Sequence, residues 1–476
     1  MKMSYNLRKT KIVCTLGPAT ERPEKVRAMI EAGMNVARLN FSHGDHEGHG
    51  KMLRTLRKIS GDMGKEIGIL QDLGGPKIRL GKLPGRERRL ESGERVVLRA
   101  MTVLEPSDIP VNYPYLLEDL SVGDSILLAD GLVLLKAESK TIDGIICEVL
   151  VGGIIHSHKG VNLPSTTLRV PSFTEKDRKD LTFGLRAGVD FVALSFVRHE
   201  SDLEPVREML AQSQTRPMLI AKIEKPQAIE RFDAILAQVD GVMVARGDLG
   251  VEMPLEEVPI IQKKIIRMAR HAGKPVITAT QMLRSMIDNP RPTRAEATDV
   301  ANAILDGTDA LMLSEETAIG EYPIVAVRIM DRIARATERH LHEHSFFIEA
   351  TSEQPPMTAS AIGRSACFLA EDLRASAIVA GTTSGSTARL VARFRPACPV
   401  VGLTPSRQTE RQLTLSWGVN PALVEPFKDS DEIFDLARSW TLRHHRVQVG
   451  NRLVVTAGVP VNEPGTTNLL KVVEIE

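Results

Sequence analysis

Two carboxylates, Glu224 and Asp248, stand at the ends of consecutive short apolar runs, and Lys222 lies two residues before the first. Carboxylates without a His or Cys partner suit a hard cation, Mg²⁺ or Mn²⁺, which takes one or two of them and fills its shell with water and substrate phosphate. If the run is a strand, side chains alternate with period two, so Lys222 and Glu224 face the same way. An ammonium facing inward beside a metal is equipment for stabilising a phosphoryl group in transfer. The plainer reading, an internal Lys–Glu ion pair without chemistry, stands beside it.

Arg38, Asn40 and Ser42 alternate at the end of another run, aiming a guanidinium, an amide and a hydroxyl at one place; the arginine suits bidentate phosphate recognition. His43, His46 and His49 follow at helical spacing and read as solvated, not as metal ligands. Asp72-Leu73-Gly74-Gly75-Pro76-Lys77-Ile78-Arg79 reads as a hinge or tight turn, with Lys77 and Arg79 able to face an anion. Thr293 and Glu296 form a capping box, which leaves Arg291 and Arg294 unexplained. Farther on, Thr382-Thr383-Ser384-Gly385-Ser386-Thr387 lies between a strand and a helix over Ala388–Phe394. It reads equally as an anion pocket and as a well-capped helix, and it lacks the GK[ST] ending of a nucleotide-hydrolysing loop.

The elements that must position these residues are eight short aliphatic runs, most of them continuously apolar: Lys11–Leu16, Asn35–Phe41, Glu66–Asp72, Val189–Phe196, Met218–Ile223, Gly241–Ala245, Pro275–Ala279 and Ala310–Leu313. Strands buried on both faces of a parallel sheet read this way. Helix-period stretches such as Pro23–Ala32, Glu175–Ala187, Gln227–Leu236, Val258–His271 and Arg294–Leu305 alternate with them. Eightfold strand–helix alternation predicts a (β/α)8 TIM barrel, with an open doubly wound sheet as the alternative. Polar residues gather just past most runs, at the ends that share one face of a barrel.

Between the third and fourth runs lies an insert of alternating strands (Arg95–Leu98, Ser125–Leu128, Leu132–Ala137, Ile145–Val151) with an Asp130-Gly131 turn. It predicts an inserted small β-barrel domain over 74–171 that acts as a lid above the active face. The first part of the barrel domain is then 1–73 and its second part 172–347. The polar stretch Glu349–Met357, with Pro355-Pro356, reads as a linker. A C-terminal open α/β sheet domain of about five strands is expected over 348–476, on the runs Ala377–Ala380, Val400–Leu403, Leu423–Val424, Arg452–Thr456 and Leu470–Ile475.

Composition narrows the class. The 476 residues carry net charge +1, which offers no general electrostatic case for nucleic acid or an anionic membrane. Aromatics at 4% disfavour a base-stacking surface. No apolar run is long enough to span a bilayer, and residues 1–11 have no apolar core of a secretion signal. Four scattered cysteines without CxxC spacing argue against zinc and against a disulfide framework, so a reducing, cytoplasmic location is expected.

Several stretches together resemble the pyruvate kinase family: Lys11–Thr20 (KIVCTLGPAT), Asn35–Gly44 (NVARLNFSHG), Lys222-Ile223-Glu224, Met243–Val251 (MVARGDLGV), Val276–Met286 (VITATQMLRSM), Asn289–Glu296 (NPRPTRAE), Asp299–Thr308 (DVANAILDGT) and Glu316-Thr317-Ala318. They run over nearly the whole chain in the family's order. The resemblance implies phosphoryl transfer from phosphoenolpyruvate to ADP, giving pyruvate and ATP in glycolysis. It implies Glu224 and Asp248 as Mg²⁺ (or Mn²⁺) ligands, and Lys222 as the group stabilising the transferring phosphoryl and the enolate. Arg38 is implied as a phosphate contact, and Thr280 with Gly247 and Asp248 as the substrate-carboxylate pocket. Asn40, His43, Arg79 and Lys176 fall at nucleotide-side positions. Thr280 with a water is a candidate proton donor to the enolate. A homotetramer and a phosphorylated small-molecule effector at Thr382–Thr387, with a contribution from around Asn462–Thr467, are also implied.

One departure concerns the monovalent-cation positions Asn40, Ser42, Asp72, Leu73 and Lys77. Many relatives have Thr then Lys after the Asp of the third strand, with Glu before Ile-Arg, and need K⁺. Here Lys77 is expected to supply that charge, making K⁺ unnecessary. Glu315 and Ile319 also depart, from a small residue and a lysine, and no role is assigned to them. A non-catalytic metabolite-sensing homologue, or another phosphoenolpyruvate-binding barrel such as an aldolase or mutase, are the alternatives. Intact catalytic positions weigh against the first; the β insert and Lys176 weigh against the second.

Overall fold

A computed structural model describes residues 8–100, 108–129, 131–164, 166, 168–341, 357–444, 446–461, 463 and 465–476. The linker residues 349–356 and Asp130 of the expected turn lie outside that set.

The strands, in chain order, are β1 (Lys11–Thr15), β2 (Val36–Asn40), β3 (Gly68–Asp72), β4 (Glu87–Leu90), β5 (Arg95–Ala100), β6 (Asp108–Val111), β7 (Ser125–Leu128), β8 (Val133–Lys140), β9 (Ile145–Val151), β10 (Gly153–His156), β11 (Val161–Asn162), β12 (Phe191–Leu194), β13 (Met218–Ile223), β14 (Gly241–Ala245), β15 (Val276–Ala279), β16 (Ala310–Leu313), β17 (Ala377–Gly381), β18 (Val400–Thr404), β19 (Val419–Leu423), β20 (Arg452–Gly458) and β21 (Thr467–Glu474).

Eight of them close into a parallel barrel in the order β1-β16-β15-β14-β13-β12-β3-β2. These are the eight aliphatic runs of the sequence, and their pairing closes on itself, so the barrel and not the open sheet is formed. Their residues are almost wholly buried because helices cover one side and packed side chains fill the other. The helix over Glu175–Ala187 starts with a capping box of Thr174 and Asp177, and that over Arg294–Asp306 with one of Thr293 and Glu296. The stretch read as one helix over Gln227–Leu236 is two, Pro226–Glu230 and Phe232–Gln238; Arg231 at the break turns to pair with Glu200.

The insert pairs as a six-stranded sheet, β11-β7-β8-β9-β5-β6, with a separate β4–β10 ribbon. Among the described residues it does not close into a barrel. Its edges explain this: β11 has two residues, and β6 contains Pro110, which has no N–H to extend the ladder. It has its own apolar core, built on Val96, Leu98, Ile126, Val133, Leu135 and Val149.

The C-terminal sheet has the order β19-β18-β17-β20-β21, with only β21 antiparallel. Its β19 lies four residues earlier than the Leu423–Val424 reading placed it. Asn420 and Pro421 break the apolar run there, and an edge strand tolerates both. The helix expected over Ala388–Phe394 spans Ser386–Ala392, so Ser386 and Thr387 belong to its first turn. This sheet docks on the barrel end opposite the loops that carry polar residues: Lys11 Nζ donates to Val419 O (2.7 Å), and Arg395 pairs with Asp309 at 3.0 Å.

Candidate functional site

Strands β13 and β14 are neighbours, with Lys222 beside Met243 and Ile223 beside Val244 in register. That register brings the ends carrying Glu224 and Asp248 together. Glu224 is 1% exposed; its Oε1 pairs with Lys222 Nζ at 2.8 Å and its Oε2 accepts from the Phe196 N–H at 2.7 Å. Lys222 also donates to Ser195 Oγ at 2.7 Å and lies 3.4 Å from Asp72 Oδ1. Burial works against its ammonium, but Asp72, Glu224 and Asp248 outweigh burial and hold its pKa above the ordinary value. The ammonium is therefore a fixed charge, not a proton donor, near neutral pH.

Asp248 sits in the first turn of the helix Arg246–Glu252. Burial, and the Glu224 carboxylate next to it, push its pKa up to about 6. Two carboxylates placed in this way could each give an oxygen to a divalent cation. Among the described residues no group of three or more His, Cys, Asp or Glu is arranged around a common point.

Arg38, from β2, is clamped: Nε and Nη2 meet Asp72 Oδ2 at 2.7 and 2.6 Å, and Nη1 donates to Thr15 Oγ1 at 2.9 Å. Asp72 is itself held below the usual carboxylate range by Lys222 and Arg38, against its burial. Asn40 and Ser42 stand together, the Ser42 N–H donating to Asn40 Oδ1 at 3.1 Å. Leu73 O already accepts from Ser195 Oγ at 2.8 Å. Lys77 is half-buried nearby; burial, Arg79 and Lys222 lower its pKa to about 8, while Asp72 and Asp248 oppose the shift. His43 is exposed, and partial desolvation together with Lys77, Arg79 and Arg38 lowers its pKa.

Thr280 follows β15 with φ +68°, and Gln281 with +57°, a left-handed pair that costs a few kcal/mol and turns the chain sharply at the strand end. The turn lets Thr280 Oγ1 accept from the Gly247 N–H at 2.7 Å while donating to Ala279 O at 2.7 Å. A Cβ on Gly247 would stand 3.4 Å from that hydroxyl, in ordinary contact.

Lys176 lies on the other side, where Nζ donates to Phe41 O (2.7 Å) and to Asp180 Oδ2 (2.6 Å). His46 meets the other Asp180 oxygen at 2.8 Å. Arg79 pairs by its backbone with Asn112 and Gly160 inside the insert. The hinge is tied to the barrel: the Gly75 N–H donates to Asp177 Oδ1 at 3.1 Å, while the other oxygen of that carboxylate completes the capping box. Gly75 has φ +63°, and a Cβ there would press within 2.6 Å of the Phe196 ring.

Sequence reasoning left three functional neighbours without roles. Ser195 positions Lys222; Arg246 spans Ala279 O (3.2 Å), Thr280 O (2.7 Å) and Asp299 (2.8 Å) and so braces the Thr280 turn; Asp180 orients Lys176 and His46. Ser195 and Arg246 were visible as polar residues at strand ends. Asp180, one turn along a helix from Lys176, carried an i,i+4 signal.

In the C-terminal sheet, Thr382, Thr383, Ser384, Ser386 and Thr387 line a cleft that Glu463, Gly465, Thr466 and Thr467 complete. Thr382 Oγ1 accepts from the Gly385 N–H at 2.9 Å, and Thr387 and Thr467 share a hydrogen bond of 2.7 Å. Asn462 lies outside the described residues.

Comparison with known proteins gives a consistent result. The family description "Pyruvate kinase, barrel domain" matches residues 7–327 and "Pyruvate kinase, alpha/beta domain" matches 360–473. The chain is 48% identical to a pyruvate kinase of Geobacillus stearothermophilus over 469 residues, covering 98% of this chain and 80% of that one. It is 44% identical to a pyruvate kinase of Clostridium acetobutylicum over 473 residues, covering 99% and 100%. Among solved structures, a pyruvate kinase from Cryptosporidium parvum superposes with TM-score 0.90 at 36% identity, covering 98% of this chain and 96% of that chain.

Proposed function

Because the chain belongs to the pyruvate kinase family and is a phosphotransferase that acts on phosphoenolpyruvate and ADP, we propose the following division of labour in its barrel mouth. Lys222 holds its proton and presents a fixed positive charge to the phosphoryl in transfer and to the enolate left behind. The observation that carries this is its ammonium held between Ser195 Oγ, Glu224 and Asp72. Arg38, immobilised by Asp72 and Thr15, orients the phosphoryl oxygens with no further loss of side-chain freedom.

Glu224 and Asp248 are the residues that hold the divalent metal the family works with, Mg²⁺ or Mn²⁺; when bound it neutralises phosphate oxygens and orients the two substrates. Thr280 and the backbone at Gly247 receive the substrate carboxylate, and Thr280 Oγ1 keeps a proton within reach of the enolate. Asn40, His43, Arg79 and Lys176 line the nucleotide side. Arg79 belongs by pairing to the insert, so closure of the insert carries a cation toward the nucleotide. We assign the insert to 74–171, the barrel to 1–73 and 172–347, and the last domain to 348–476.

Lys77 supplies the charge that K⁺ would bring beside Asn40, Ser42, Asp72 and Leu73, a reading supported by its position within the influence of Asp72 and Asp248. The cleft at Thr382–Thr387 takes a phosphorylated effector, and the enzyme works as a homotetramer in the cytoplasm. Among the described residues no helix is long and apolar enough to cross a membrane. The test is pyruvate formation from phosphoenolpyruvate and ADP with Mg²⁺. Activity in the parent and its loss in a folded Lys222→Met variant are expected; undiminished turnover in that variant removes Lys222 from the chemistry.

A further inference from the structure

The chain crosses between barrel and insert twice, leaving through 73–75 and returning through 168–172. The short segment after β12, from Ser195 to Arg198, touches both crossings. Ser195 Oγ donates to Leu73 O at 2.8 Å. The Phe196 ring lies so close to Gly75 that a Cβ there would stand 2.6 Å from the ring edge. On the return side Ser172, 1% exposed, donates from Oγ to Phe196 O at 2.6 Å. Arg198 donates to Leu168 O and Val170 O.

The same segment touches two groups of the barrel mouth. Lys222 Nζ donates to Ser195 Oγ, and the Phe196 N–H donates to Glu224 Oε2, both at 2.7 Å. A carboxylate oxygen has a second lone pair, so the bond from Phe196 sets the direction in which Glu224 offers the other. With Lys222 on Oε1 at 2.8 Å, the carboxylate is held at both oxygens.

Phe196 does this with φ +58°, a left-handed conformation disfavoured for a bulky side chain. Such strain persists only where the surroundings over-determine it. Packing an apolar ring does not require it, because a ring can be buried from an ordinary backbone. What the left-handed turn supplies is direction: the N–H meets Glu224 while the C=O of the same residue meets Ser172. One residue thus carries the Glu224 contact at its nitrogen and insert contacts at its carbonyl and its ring.

We propose that Phe196 is a positioning residue that couples the aim of Glu224 to the setting of the insert. The inference rests on the reading of Glu224 as a ligand of the divalent metal. Coupling of this kind is reciprocal. Metal at Glu224 steadies the returning strand at Ser172, and loosening that strand weakens metal binding.

The test is Mn²⁺ binding to the full-length enzyme without substrates, read from the paramagnetic resonance of the free ion, together with hydrogen exchange over 168–173. In the parent, Mn²⁺ should slow that exchange severalfold. Ser172→Ala removes the bond to Phe196 O and leaves the N–H on Glu224 in place. Its affinity for Mn²⁺ should fall by about threefold or more, the worth of one hydrogen bond, and Mn²⁺ should no longer slow the exchange. At saturating Mn²⁺ its kcat should stay within about twofold of the parent, which separates lost metal affinity from lost fold. Phe196→Gly keeps both backbone bonds at a φ that glycine adopts freely and removes the ring; a fall of about threefold in Mn²⁺ affinity is expected there too. If Phe196→Gly misfolds, Ser172→Ala decides. Parent-like Mn²⁺ affinity in Ser172→Ala, or parent exchange over 168–173 that ignores Mn²⁺, overturns the coupling, while loss of binding in Glu224→Gln still upholds the ligand reading. No Mn²⁺ bound by the parent, or full binding in Glu224→Gln, overturns that reading and the coupling with it.

Discussion

Lys77 makes the sharpest statement available from a single side chain. If its ammonium stands in for a monovalent cation, turnover in K⁺-free buffer should match turnover with about 100 mM KCl. Lys77→Ala should lower kcat at least about tenfold without K⁺ and regain much of it with K⁺, as expected when one charge near the transferring group is removed and returned. Strong KCl stimulation of the parent would overturn the assignment. Ser195→Ala offers a second check, because it removes the hydroxyl that seats Lys222. A loss in kcat of about tenfold with KM little changed is expected, since the contact matters most where charge develops. At this scale the sequence was readable where period-two alternation applied, as for Lys222 with Glu224. It was not readable where partners come from distant strands. Nothing local couples Arg38 to Thr15 or Arg246 to Asp299, which only the barrel's closure brings together.

Among elements, the insert and the barrel meet through a small polar latch. Asn162 in β11 donates to Glu252 Oε1 at 2.9 Å, and Lys225 donates to the same oxygen at 2.6 Å. Glu252 ends the helix that carries Asp248 in its first turn, so a movement of the insert would bear on that helix. Asn162→Ala leaves the Lys225–Glu252 pair intact and removes one hydrogen bond worth about 1 kcal/mol. A several-fold rise in KM for ADP, with kcat nearly unchanged and faster hydrogen exchange in β11, is the expected outcome. The eight barrel strands were legible because burial on both sides demands mostly apolar runs, interrupted near their ends by residues such as Arg38, Asp72 and Lys222. The edge strand β19 was not, because its Asn420 and Pro421 match no such rule.

For the whole molecule, the seam between barrel and C-terminal sheet sets the pH response. Burial and the neighbouring Arg8 lower the pKa of Lys11 to about 7, with Glu338 and Asp309 pulling the other way. In the unfolded chain its ordinary value is 10.5, so between 7 and 10.5 the unfolded state holds the extra proton and stability rises with pH. Below 7 both states are protonated and the full penalty is present. This residue alone contributes on the order of 1 kcal/mol per pH unit across that window. The urea midpoint of the first unfolding transition should climb from pH 7 to 9.5, and Lys11→Met should flatten the climb. Asp309→Asn should lower stability by about 3–5 kcal/mol at neutral pH, because Arg395 is left as an uncompensated buried charge. A thermal shift near zero would show the pair to be dispensable.

The insert leaves the barrel through Gly74-Gly75 and returns just before the helix at Glu175, and Gly75 is already bonded to Asp177 across that gap. Two chain ends so close can be rejoined by a short bridge, which makes the insert a removable module on a barrel that keeps its own core. An excised version would retain Lys222, Glu224 and Asp248 but lose its shelter from solvent. Water would then compete with the acceptor nucleotide, turning a phosphotransferase toward a phosphatase.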